Sequence, residues 1–233
     1  MRFQDASPDA RAIVYAGIQA DPLVARAASL LAAATHDQRI LARAVMNGVT
    51  TDAPAWRTMF PSLFGPAAAP SGDPERARSE AILAVGLEVA ERGEQVRSQF
   101  RGAIVESLTE VLVRSRPGLA TSGAGGGAAV RRERRILFDG IRAEIHPYDV
   151  TVEADGAAEA IDCKWGARGI GADVLHQLDD ARTHAADEDE RLISTLVIFD
   201  AARSCAVRLE RETAPHAGTR IIGIEGLDTL AGR

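Results

Sequence analysis

The sequence predicts an α/β fold: a helical unit at the N-terminal end, then a central mixed sheet flanked by helices. Three observations predict it. Apolar residues recur at helical spacing as far as about residue 116. Beyond about residue 135 the period shortens to two, the alternation of a strand. A helical stretch over 171–186 then precedes a near-continuous apolar run at 192–199, the pattern of a buried strand.

Taken in order, Ser7-Pro8-Asp9 supplies a cap and a first-turn proline, and Ile13, Val14 and Ile18 follow on one helical face. Asp21-Pro22 opens a second helix, with Leu23, Val24, Ala27, Leu30 and Leu31 spaced for one side. A third runs from His36 to Met46 and stops at Asn47-Gly48. A short helical piece covers Trp56 to Leu63, and the run from Gly65 to Gly72 reads as a linker. Residues 1–70 are therefore expected to form a small helical unit for dimerisation, recognition or partner docking, with a second domain over 71–233. Asp73-Pro74-Glu75 caps a helical pattern that continues to about Arg116, with natural breaks at Arg92-Gly93 or Arg101-Gly102. Pro117 to Ala129 reads as a flexible loop. Strands follow over Arg135–Ile145, Tyr148–Val152 and Ala157–Trp165, the last two joined by a hairpin turn at Asp155-Gly156. A final strand covers Arg220–Ile224.

The formal net charge is −6, which argues against nucleic-acid binding by bulk charge and requires a local basic patch for any such function. From Arg97 to Arg142 there are 9 arginines against 4 acids, with Arg131, Arg132, Arg134 and Arg135 clustered. That cluster reads either as a phosphate-contacting patch or as a solvated charge run. Cys163 and Cys205 show no metal spacing and read as free thiols of a cytoplasmic protein. No apolar run is long enough for a transmembrane helix, and the N-terminus lacks the pattern of a signal peptide, so no membrane partner is expected.

Lys164 is the only lysine; the other residues in the Lys+Arg count of 27 are arginine. Lysine is a compact point charge that can sit beside a water or a phosphate oxygen, whereas arginine presents a planar fork. It stands in Asp162-Cys163-Lys164, at the end of a strand-like run. With a side-chain period of two, Asp162 and Lys164 share one face of the sheet, and Asp149 on the preceding strand can join them. Two carboxylates at one point repel unless a cation lies between them. Mg²⁺ (or Mn²⁺), a hard ion that takes carboxylates and phosphate oxygens, resolves that repulsion.

Pro147-Tyr148-Asp149, followed 13 residues later by Asp162-Cys163-Lys164, resembles the PD-(D/E)XK nuclease superfamily, the fold of restriction endonucleases. Pro147 stands one residue earlier than in the strict Pro-Asp pair. Arg101-Gly102 followed by Glu106 matches a glutamate that relatives carry on the preceding helix, and Gln177 matches a glutamine on the following one. Ala181 stands where an exonuclease branch has tyrosine. The resemblance covers roughly residues 95–233 and implies a restriction-endonuclease-like α/β fold. It implies metal-dependent cleavage of DNA, in restriction or anti-phage defence. Asp149 and Asp162 would hold the metal with the Cys163 carbonyl and Glu106. Lys164 would position or deprotonate the attacking water, and Gln177 would complete the catalytic set. A homodimer would suit double-strand cleavage, and an activating protein partner suits the acidic net charge. The rival expectation is a catalytically inactive binding module of the same fold, scaffolding a nucleoprotein complex.

Remaining features read as structure. The loop Gly123-Ala124-Gly125-Gly126-Gly127 follows no strand and lacks Gly-Lys-Ser/Thr, so it is no phosphate cradle. The histidines show no metal spacing, Trp165 reads as packing, and Asp187-Glu188-Asp189-Glu190 reads as a solvated turn.

Overall fold

The computed structural model describes the chain except residues 7–9, 66–72, 120–127, 140, 143–145 and 154–156, and for residues 10–12 and 141–142 it describes the main chain alone. The chain falls into two compact units, Ala10–Leu108 and Met1–Asp9 with Thr109–Arg233. The helical unit, expected to end near residue 70, continues by contacts to Leu108.

The helical unit contains α1 (Ala10–Gln19), α2 (Pro22–Ala32), α3 (His36–Asn47), α4 (Ala53–Met59), α5 (Pro61–Phe64), α6 (Pro74–Ala90) and the first part of α7 (Glu94–Arg114). Local chemistry explains the starts. Asp21 caps α2 by accepting from the Leu23 N–H at 2.8 Å, and Asp73 caps α6 by accepting from the Glu75 N–H at 3.0 Å. Thr35 and Gln38 form a reciprocal capping box on α3. Each such cap is worth about 1 kcal/mol. The expected helix start at Ser7-Pro8-Asp9 and most of the Gly65–Gly72 linker lie outside the described residues. Gly48 ends α3 in an extended conformation, and its role is space: a Cβ there would lie 2.6 Å from the Trp56 ring. Of the two expected breaks, the chain breaks at Arg92-Gly93 and runs on helically through Arg101-Gly102. α6 belongs with the N-terminal helices because it packs on α2 and α3. A Cβ on Gly86 would stand 2.8 Å from Val45, so α6 and α3 approach closely there.

The second unit is an α/β unit with an open mixed sheet. Among the described residues its strands are β1 (Arg2–Asp5), β2 (Ala129–Phe138), β3 (Ile141–Arg142), β4 (Tyr148–Glu153), β5 (Ala158–Lys164), β6 (Leu192–Ile198) and β7 (Thr219–Ile222). The order across the sheet is β1-β2-β4-β5-β6-β7, with β3 paired to β2. β1, β2, β4 and β5 pair antiparallel, whereas β5, β6 and β7 are parallel. Parallel neighbours need crossovers. α8 (Ala172–Asp187) supplies the first and α9 (Ala202–Leu209) the second. α8 buries Leu175, Leu178, Ala181 and Ala185 in a core with Ala158, Ala160, Leu196 and Ile198.

Two strands differ from expectation. β2 begins at Ala129, not Arg135, so the arginine cluster lies within a strand and not before one. β1 was not expected at all; it pairs Arg2 with Leu137 and Asp5 with Arg134. β4 and β5 form the expected antiparallel pair, although the turn at Asp155-Gly156 lies outside the described residues, as does the glycine loop at 123–127.

Candidate active site

The β4–β5 register sets Val150 against Ile161 and Thr151 against Ala160. One step further along this register, Asp149 comes level with Asp162. Alternation along β5 then carries Asp162 and Lys164 to one face. All three line one cleft of about 280 Å³, whose wall also includes His146, Pro147, Gly169, Asp173, Val174 and Gln177.

Each acidic group is held. The Asp149 Oδ2 accepts from the Cys163 main-chain N–H at 2.6 Å. Asp162 accepts from the Lys164 ammonium as an ion pair, with both side chains largely buried. Burial by itself would push the Lys164 pKa down, but the charges of Asp162 and Asp149 outweigh it and hold the pKa above its ordinary value. Lys164 is thus a stable cation between two anions. It can orient a water or stabilise negative charge, but it is poorly suited to removing a proton in this state.

The lysine stem also has a fixed path. Phe199 N–H donates to the Lys164 carbonyl at 2.9 Å, and Trp165 packs on the Phe199 ring with centroids 5.0 Å apart. Asp200 accepts from the Ala167 N–H at 3.0 Å, which anchors the short 3-10 turn Ala167–Gly169. That turn brings Gly169 under the lysine: a Cβ there would lie 3.0 Å from the Lys164 Cβ and Cδ. Gly169→Val is therefore expected to overpack the site and lower stability by about 1–3 kcal/mol. Denaturant melts check this, and a wild-type midpoint would show that the stem is not confined.

The other expected site residues divide. Gln177 lines the cleft, with its amide bonded to the main chain of His146. The Cys163 thiol donates to Thr109 Oγ1 at 3.4 Å, while its main-chain N–H meets the Asp149 carboxylate. Glu106 belongs to the helical unit, where it accepts from the Tyr15 hydroxyl and, at 2.8 Å, from Gln19 Nε2. Gly102 makes room there, since a Cβ on it would stand 3.0 Å from the Tyr15 hydroxyl.

No protein-family model, curated protein or solved structure matches the chain. The site is therefore read from its own geometry.

Sequence reasoning missed three residues. Gly169 and Asp173 line the cleft, and the only hint was a glycine–acid start to α8. Glu133 on β2 brings a carboxylate oxygen within 4.8 Å of one on Asp149. It has a left-handed main chain (φ 52°), uncommon for a residue other than glycine, within a run of arginines that hid it. The arginine cluster is partly committed inside the unit: Arg134 pairs with Glu153 at 2.8 Å and with Asp5, and Arg132 lies 3.9 Å from Glu110. Arg131 is exposed. Neither cysteine forms a disulfide, and both are buried. Among the described residues no helix is long and apolar enough to cross a membrane.

Proposed function

We propose that the cleft is the active site of a Mg²⁺- or Mn²⁺-dependent phosphodiester hydrolase acting on DNA, carried on a restriction-endonuclease-like sheet. One observation carries the reading: Asp149, Asp162 and Lys164 line the same cleft. Carboxylates on opposite faces of the sheet would have ruled it out. The element order α7, β2, β3, β4, β5, α8, β6 supports the same family likeness.

The donor chemistry fits a hard divalent ion: Asp149 and Asp162 offer carboxylate oxygens, with Glu133 close to the first. Bound there, such an ion lowers the pKa of a coordinated water and polarises a phosphoryl oxygen. Asp149 and Asp162 would hold it. Lys164, kept charged by those carboxylates, orients the attacking water and offsets charge that develops on the phosphate. With those carboxylates free of metal, the ammonium favours orienting the water over removing its proton. With an acidic chain, DNA contact depends on local cations such as the exposed Arg131. The role in restriction or anti-phage defence, the homodimer and the activating partner rest on family likeness alone.

Cleavage of supercoiled plasmid and linear DNA in Mg²⁺ or Mn²⁺, with EDTA and Lys164→Ala as controls, tests the reading. Metal-dependent nicking lost in the variant is expected. No cleavage together with no metal binding in calorimetry would sink it and favour the inactive binding module. Metal binding without cleavage of DNA would redirect the search to RNA or to an activating partner.

A further inference from the structure

Gln177 stands in the apolar stripe of α8, beside Leu178, and is buried. A buried primary amide needs partners for both of its ends. Here both come from one residue. The His146 N–H donates to Gln177 Oε1 at 3.1 Å, and Gln177 Nε2 donates to the His146 carbonyl at 3.1 Å. Glutamate could make the first bond but not the second. On the other side of Pro147, the Tyr148 hydroxyl donates to the Gln177 carbonyl at 3.2 Å. Pro147 has a fixed φ and no N–H of its own. The segment leading into Asp149 is thus tied to α8 at both ends of a stiff residue. The next side chain is the carboxylate that meets the Cys163 N–H at 2.6 Å.

We propose that Gln177 is a positioning residue: by clamping the main chain of His146 to α8, it sets where the Asp149 carboxylate stands in the cleft. This deepens the hydrolase reading and rests on it for what Asp149 does there. It also replaces the catalytic role expected of Gln177. The amide acts through Asp149 and not on a substrate.

The Cys163 amide reports the Asp149 carboxylate directly, with no metal present. In the uniformly ¹⁵N-labelled full chain, Asp149→Asn is expected to shift that amide resonance strongly. Gln177→Ala and Gln177→Glu are expected to shift it in the same direction. The His146 amide should exchange at least about tenfold faster in Gln177→Ala. Loss of packing alone would lower the melting temperature without singling out the Cys163 amide. Should Gln177→Ala fail to fold, the near-isosteric Gln177→Glu decides. A Cys163 amide that stays at its wild-type position in the folded Gln177 variants overturns the inference. Mn²⁺ calorimetry on the same proteins is expected to show about 10–100-fold weaker binding in Gln177→Glu, the size of effect seen for groups that orient metal ligands. Wild-type protein that binds no Mn²⁺ would remove the hydrolase reading, while the Cys163 amide would still decide the clamp.

Discussion

Asp149→Asn is expected to abolish the stabilisation that Mg²⁺ or Mn²⁺ confers on the folded chain. Asp149, Asp162 and Asp173 line the cleft with Lys164, and that excess of carboxylates over cations favours a bound cation. An ion that binds only the folded state at a hundred times its dissociation constant adds about 2.7 kcal/mol. In a chain of this size each kcal/mol moves the melting temperature by roughly 2–4 °C, so a shift of about 5–10 °C is expected in wild type. Asparagine keeps the shape and can still accept from the Cys163 N–H, but it removes the anionic oxygen. The variant should melt at one temperature with or without metal. A shift equal to that of wild type would place the ion elsewhere.

Lys164→Met is expected to lower metal-dependent cleavage by about 10²–10³-fold, the cost of removing one preorganised charge from a reacting centre. Lys164→Arg should recover little, because its planar fork does not fit the narrow path over Gly169. The methionine variant also leaves Asp162 without its partner in a half-buried cleft. The stability cost should fall between those of exposed and buried pairs, about 1–3 kcal/mol. Its pH dependence has a definite sign. The folded-state pKa of Lys164 lies above the unfolded value of 10.5, so the folded chain binds this proton more tightly. The stabilisation is fully present below that unfolded value and is lost as pH rises through the folded one. Wild type and Lys164→Met should thus differ by a constant amount from neutral pH to about pH 10, and the gap should close above it. Urea melts across that range measure the gap, and a gap already closing near neutrality would contradict the ion pair.

Much of this arrangement was legible beforehand because it depends on short-range signals. Asp-Pro pairs mark helix starts whatever lies around them, and α2 and α6 begin where Asp21 and Asp73 predicted. The period of two in Tyr148–Val152 and Ala158–Lys164 was enough to bring Asp149 and Asp162 together. What was hidden depends on distance or on long side chains. β1 is a four-residue strand whose partner is remote in sequence, and nothing local distinguishes it from a loose end. β2 was half missed because Arg131, Arg132, Arg134 and Arg135 mask the alternation. Long charged side chains can lie along a sheet and meet acids there, as Arg134 meets Glu153. The bonds from both ends of the Gln177 amide to the His146 main chain were not legible, because a single helix pattern says nothing of a partner 31 residues away.

The pairing of Arg2 with Leu137 has a consequence for synthesis. Residues 10–108, a unit of local helical contacts, emerge from the ribosome between the two strands. Helical contacts form fast and strand pairs between distant segments form slowly. The helical unit can therefore complete itself while β1 waits with an open edge for a partner not yet translated. A nascent chain halted before residue 129 should expose that strand, and chaperones that hold extended segments should engage it until β2 arrives.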